Sequence, residues 1–453
     1  MSEPRAELSR ELNLWHSGAI VVGVIIGSGI FLVPKRMMEA AGSVELVFAA
    51  WIVGGLLSWF GALTYAELGA MKPGAGGEYV YVRDAYGGMM GFLYAWTWFT
   101  IGKPASIATV AVAVVRILGE FRTFDFLQVT LISSLLLINY GHLLAISFIV
   151  VLTYLNYLGV RKAGDFQLYF TLLKVAMILG IIAVGFSYAN GGTANFKTEY
   201  LPAVGGFGGF MSALIAALWA YDGWNNLNMV AGEIKEPERN IPKALIIGIT
   251  IVAVLYMLTN AAVQWVLPAE TIATSLRPAS AAIQAVLGPV GGMVISAGIA
   301  FSMFVSINGQ ILTGARIPFA AARDGYFFQS VAEINPKYHT PSVALLFQGV
   351  LTIILIVVGG AFEDLFNLAI FSAWLFYMIA ASTVFVFRKR EPETPRPYRT
   401  WGYPVVPVLF IMASAVLLYY SFFENVRNSL IGSLVILAGI PIFLFFKARN
   451  RAA

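Results

Sequence analysis

Long apolar runs recur along this chain, each about the length that carries an α-helix across a bilayer, joined by short charged or Gly/Pro-containing connections. Hydrocarbon offers the backbone no hydrogen-bond partner, so such runs must be self-satisfied helices. The fold class is therefore all-α and polytopic. Composition agrees: of 453 residues, 59% are hydrophobic and 12% charged, against about 45–50% apolar and about 25% charged in soluble domains. No stretch is polar and long enough to form a separate soluble domain, so 1–453 reads as one transmembrane unit. A sliding hydropathy window places twelve spans, at roughly 13–41, 45–70, 88–118, 141–160, 165–188, 208–232, 243–267, 289–320, 342–359, 364–387, 403–421 and 428–446. The apolar core of 124–139 is short for a span, and it is expected as a loop on the outer surface.

Lysine and arginine orient the chain. With an even number of spans and both termini inside, the cytoplasmic segments carry Arg5, Arg10, Lys72, Arg83, Arg161, Lys162, Arg316, Arg323 and the Arg388-Lys389-Arg390 run, among others, while the outer side has few beyond Lys35, Arg36, Arg116 and Arg122. This is the positive-inside asymmetry, so the net charge of +5 marks inner-leaflet loops and not nucleic-acid binding. The polar N-terminus lacks an apolar h-region and reads as a cytoplasmic tail rather than a cleaved signal. With no cysteine, disulfides, thiolate metal sites and cysteine catalysis are excluded. The three histidines are scattered, so no metal or cofactor is expected.

The first span is interrupted at Ile25-Ile26-Gly27-Ser28-Gly29, and the sixth at Trp219-Ala220-Tyr221-Asp222-Gly223. Each glycine costs a helix interior about 1 kcal/mol against alanine, and in lipid the freed backbone groups must find partners inside the protein. Two broken spans at corresponding places in two halves are the sequence pointer to a secondary transporter's binding site. Spans one to five (13–188) and six to ten (208–387) then form an inverted repeat, with spans eleven and twelve (403–446) as an appendix. A helix N-terminus at a break suits a carboxylate, and bare carbonyls suit an ammonium. An amino acid matches both. The plain alternative is that these glycines only allow close helix packing.

Four ordered motifs sharpen this: GSGIF at 27–31, PGAGGEYVY at 73–81, AYDGWN at 220–225 followed by Glu233, and SINGQILTGARIPFAAARDG at 306–325. On these the chain resembles the amino acid–polyamine–organocation superfamily, and within it a bacterial member of the L-amino acid transporter family. The resemblance covers about three hundred residues and implies a five-plus-five inverted repeat with two added helices. It also implies an aromatic gate at Trp219, and an asparagine, Asn225, linking the substrate region to span eight.

Lys174 lies deep in span five, where an ammonium costs about 2.5–3.5 kcal/mol on insertion scales and is functional by default. By resemblance it stands where sodium-coupled relatives bind Na⁺, holding carbonyls near Gly27 and a hydroxyl on span eight, Ser306 or Ser302. Transport should then be sodium-independent. Lys103 lies in span three and is expected to pair with Asp222 or to read the substrate side chain. Asp222 departs from animal members, which often have glycine there, and either caps the break or acts directly. Glu67, Glu78, Arg83, Asp84, Arg323 and Asp324 sit at cytoplasmic ends and read mainly as solvated loop charges that can close an inner gate.

The expected protein is thus an antiporter or facilitator of L-amino acids in the cytoplasmic (inner) membrane, working by alternating access. Its carboxylate site is Gly27, Ser28 and Gly29; its ammonium site is the backbone at Ile25 and at Trp219, Ala220, Tyr221 and Asp222, beside Gly223 and Asn225. A proton-coupled amino acid or polyamine permease is the alternative within the class. A channel lacks its charged ring, and an enzyme lacks a nucleophile–base pair or metal cluster. Expected partners are the substrate and the lipid bilayer; without cysteine there is no disulfide-linked heavy chain.

Overall fold

The computed structural model describes residues 7–119, 121–133, 137–358, 362–424 and 426–452. Residues 1–6 of the N-terminal tail, with Arg5, and Gly359 at the end of the expected ninth span lie outside the described residues. The longer helices in chain order are α1 (Leu14–Ile25), α2 (Gly29–Ala41), α3 (Val44–Met71), α4 (Glu78–Tyr86), α5 (Gly88–Leu118), α6 (Tyr140–Tyr157), α7 (Val160–Phe186), α8 (Gly206–Ala220), α9 (Pro237–Val266), α10 (Pro278–Gly314), α11 (Arg316–Arg323), α12 (Ser342–Val358), α13 (Phe362–Arg390), α14 (Val405–Glu424) and α15 (Val426–Ala452), with short helical turns at Asn226–Met229 and Ala269–Thr274. Among the described residues nine stretches are long and apolar enough to cross a membrane, and α8 and α12 are shorter apolar helices. The chain is an all-α polytopic membrane protein.

Local chemistry sets the key boundaries. The Asn13 side chain accepts from Trp15 N and His16 N, and Asn13 N donates to His16 Nδ1, which fixes where α1 begins. The helix stops at Ile25, and α2 restarts at Gly29. In the sixth span α8 ends at Ala220, a turn covers 221–225, and a single helical turn follows at Asn226–Met229. Both spans expected to be broken are broken.

One expected boundary changes, and two expectations acquire structural detail. The seventh span begins at Pro237 and not at 243, because Pro237 occupies the first turn, where its missing N–H costs nothing. A helix from Pro278 precedes the eighth span, and non-helical backbone at Gly288 (φ +76°) separates it from the run that starts at Pro289, where the hydropathy window places the span. The 124–139 segment is no helical span: its described residues form a 3₁₀ turn, Arg122–Gln128, and an antiparallel pair, β1 (Thr130–Ser133) and β2 (Leu137–Asn139), while 134–136 lie outside the described residues.

The two breaks meet at the centre of the bundle. Helix α2 packs along α8, and α1 packs against α7 and α9. A Cβ on Gly29 would lie 2.6 Å from Ala220 Cα, so only glycine lets the two broken spans touch there. Gly223 has φ +115°, and a Cβ on it would meet Val24 Cγ1 at 2.7 Å. Each break therefore holds the glycine that the other's backbone requires.

Candidate functional site: a cavity between two broken helices

The break in the first span is closed by an ammonium. Lys174 is 1% exposed, and its Nζ donates to Gly23 O, Ile26 O and Ser306 Oγ, each at 2.8 Å. Those three acceptors use all three donors of an ammonium. Ser306 Oγ lies 2.9 Å from Gly23 O and 3.0 Å from Ile26 O, and Ser302 Oγ lies 3.2 Å from Ile26 O. The carbonyls that α1 loses at its C-terminus are thus held by one lysine and two serines.

Past this plug, the first bonds of α2 run from Phe31 N and Leu32 N to Ser28 O, which leaves the N–H groups of Ser28, Gly29 and Ile30 ahead of them. Ser28 makes no side-chain cap bond. These donors and the positive end of α2 border a cavity lined by Gly27, Ser28 and Gly29 on one side and Trp219, Ala220 and Asp222 on the other. Its wall also includes Ile25 and Ser306 and, around them, Lys103, Asn226, Ser106, Gln310, Trp98 and Trp374.

The second break is satisfied differently. Tyr256 OH lies 2.9 Å from Ile25 O and 3.0 Å from Ala220 O, so one hydroxyl proton is shared between the two broken spans. Trp219 O accepts from Asp222 N at 3.1 Å. The carbonyls of Ile25, Trp219 and Ala220, expected to be bare for an ammonium, therefore already have donors. Tyr221 is buried edge-on to Trp51 and tilted against Tyr256, and it and Gly223 serve the packing of the break rather than the cavity wall.

Polar side chains extend this network. Tyr377 OH lies 2.8 Å from Asp222 Oδ1 and 3.3 Å from Asn225 Oδ1, and Asn225 Nδ2 donates to Glu78 Oε1 at 2.5 Å. Asn225 therefore connects to α4 and α13, not to span eight. The residue that faces the cavity is its neighbour Asn226, whose Oδ1 accepts from Lys103 Nζ. That ammonium also lies over the Trp98 ring, 5.1 Å from its centroid. Lys103 and Asp222 both line the cavity, but the partners they bond are Asn226 and Tyr377.

Several presumed loop charges are buried. Glu67, 1% exposed, accepts from Arg388 Nε at 3.0 Å, Arg388 Nη2 at 2.8 Å and Thr400 N at 2.6 Å. Glu78 is fully buried. Arg316, placed by sequence in a cytoplasmic loop, is fully buried and bidentate to Glu233 (Nε–Oε2 2.7 Å, Nη2–Oε1 2.9 Å). Glu233 O accepts from Glu11 N and Leu12 N at 3.0 Å each, and Lys235 N donates to Leu12 O at 2.8 Å. The segment before α1 is thereby fastened to the end of the second broken span. Closer to the solvent, Arg83 bonds Asp324 and Asp84, Tyr79 donates to Asp324 at 2.6 Å, and Lys72 reaches Asp84 and Glu391 at 3.2 Å. Burial pulls on the Arg83 guanidinium, but Asp324 and Asp84 outweigh it and hold its pKa above the ordinary arginine value. Arg323 rests on the Phe319 ring.

Sequence reasoning missed Tyr256, Asn226, Trp98, Gln310 and Ser106. Of these, Gln310 lies within the 306–325 motif and donates nothing that periodicity reveals; it accepts from Ser106 Oγ at 2.7 Å.

Two interrupted spans meeting around a small cavity, with a fixed ammonium in one break, define a membrane transporter. The amino acid permease family model matches residues 12–446. The chain belongs to the amino acid permease family; it is a transporter of amino acids and not an enzyme. It is similar to the serine/threonine exchanger SteT of Bacillus subtilis (strain 168), 30% identical over 446 residues covering 98% of both chains. It is also similar to the mouse (Mus musculus) b(0,+)-type amino acid transporter 1, 32% identical over 97% of this chain and 88% of that one. The human (Homo sapiens) cystine/glutamate transporter is 30% identical over 98% of this chain and 86% of its own length.

Proposed function

We propose that this protein is a sodium-independent exchanger or facilitator of L-amino acids in the cytoplasmic membrane, with both termini inside. Its twelve spans form a five-plus-five inverted repeat and two added helices. The observation that carries the reading is the Lys174 ammonium on Gly23 O, Ile26 O and Ser306 Oγ, a cation's coordination shell supplied by the chain itself.

The substrate carboxylate binds the free N–H groups at Ser28 and Gly29, where the dipole of α2 adds to the attraction. The ammonium faces Asp222 and the backbone of 219–222 across the cavity. Asp222 replaces the carbonyls of Ile25 and Ala220 as the principal acceptor, because Tyr256 already occupies those two. Trp219 covers the substrate from one side. Lys103, held against Asn226 and Trp98, meets the substrate side chain. Alternating access moves the broken spans, with the Glu233–Arg316 pair and the Leu12 backbone pairing fastening the cytoplasmic end.

The test is counterflow in proteoliposomes holding the purified chain. Labelled amino acid outside should accumulate only when unlabelled amino acid is inside, against each of the twenty in turn. Uptake that ignores the internal pool, and is driven by a pH gradient alone, would favour the proton-coupled permease.

A further inference from the structure

Glu78 is a buried carboxyl that the transport reading does not use. It opens α4, outside the membrane-spanning stretches, yet it is fully buried. One oxygen accepts from Asn225 Nδ2; the other, Oε2, makes no close hydrogen bond among the described residues, while the Tyr94 hydroxyl lies near enough to the carboxyl to favour its ionised form. The groups that face it are Tyr65 from α3, Tyr81 from α4 itself, Tyr94 and Lys103 from α5, Tyr377 from α13, and, beyond Asn225, Asp222. This buried set holds one ammonium and two carboxyl groups. Lys103 and Asp222 balance each other; an ionised Glu78 leaves a negative charge uncompensated in a low-dielectric site. A bonded path, Glu78–Asn225–Tyr377–Asp222, connects that carboxyl to the cavity wall.

We infer that Glu78 is a proton-binding site coupled to occupancy of the cavity, an inference that rests on the transport reading given above. With the cavity empty, Glu78 keeps its proton on Oε2. When a substrate ammonium arrives beside Asp222, the added positive charge offsets the second carboxylate, and Glu78 releases that proton to water. Linkage is reciprocal, so substrate binds more tightly as Glu78 ionises. Burial pushes the carboxyl up to about 7, with Asn225, the residue's own backbone N–H, Lys103 and the Tyr94 hydroxyl opposing the rise, so the change falls in the neutral range.

The experiment measures exchange in proteoliposomes of the full-length protein with a mixture of L-alanine, L-serine, L-leucine, L-phenylalanine, L-arginine and L-glutamate, whose side chains keep one charge state between about pH 6 and about pH 8. The half-saturating concentration of the wild type should fall at least about fivefold from the lower pH to the higher. Glu78→Gln, which imitates the neutral acid, should stay at the wild type's low-pH value throughout. A wild type flat across this range overturns the inference, and so does a Glu78→Gln variant that keeps the wild-type profile. Should that variant fail to fold, a pH-indicator dye in weakly buffered micelles decides: addition of the same mixture to the wild type should release protons, and no release overturns the proposal. A wild type that exchanges none of the six at any pH overturns the transport reading and this inference with it.

Discussion

The two breaks at the centre of this molecule solve one problem in two ways. Both interrupt a span and free backbone groups that lipid cannot satisfy. In the first, a fixed charge does it: Lys174 and two serines take the carbonyls of Gly23 and Ile26, all buried. In the second, neutral donors do it: the Tyr256 hydroxyl is shared between Ile25 O and Ala220 O, and Tyr377 is shared between Asp222 and Asn225. A fixed ammonium holds one arrangement. Shared single protons allow two. The first break is thus suited to be the static half of the clamp, and the second the half that responds to what enters.

That contrast can be broken experimentally. Lys174→Ala should do the most damage, because it strands carbonyls at about 1–3 kcal/mol each; exchange in proteoliposomes should fall more than about tenfold. Lys103→Met should leave the first break intact and alter selectivity. Relative uptake of amino acids with charged and uncharged side chains should shift on the order of tenfold, about 1.4 kcal/mol, and an unchanged substrate profile would remove Lys103 from recognition. Tyr256→Phe removes one shared hydrogen bond worth about 0.5–1.5 kcal/mol, so exchange should slow by about two- to tenfold while the protein still folds. Ser302→Ala is the mildest: its single 3.2 Å bond to Ile26 O duplicates those of Lys174 and Ser306, and the loss should stay below about 1 kcal/mol. If Ser302→Ala proved as severe as Lys174→Ala, the ammonium would not be what holds the break.

The same contrast explains what could be read from the sequence. Lys174 was legible because an intramembrane ammonium is costly and demands acceptors; Ser302 and Ser306 were reached only through the family resemblance. The second break was legible only as a break. Its 221–225 turn, with Gly223 at φ +115°, destroys helical phase, so nothing in the residue order says that Asn226 faces the cavity while Asn225 points to Glu78. Tyr256 sits in a long apolar helix where an aromatic residue is ordinarily packing; its hydroxyl gains a role only once α1 and α8 lie beside it. Glu67, Glu78 and Arg316 were read as solvated because charge at a span's end is usually so, and their partners Arg388, Asn225 and Glu233 lie 321, 147 and 83 residues away in the chain. The hydropathy window's start at 289 was legible because Gly288, at φ +76° and ψ −173°, is a true break after which the helix resumes at Pro289.

The central claim is that Lys174 does the work of a cation in the first break. The direct measurement is amino acid exchange in proteoliposomes with all sodium replaced by choline, in the wild type and in Lys174→Ala side by side. The account predicts identical wild-type rates with and without sodium, and a variant that fails in choline. A wild type that stops when sodium is withdrawn, or a Lys174→Ala variant that exchanges normally in choline, would contradict it.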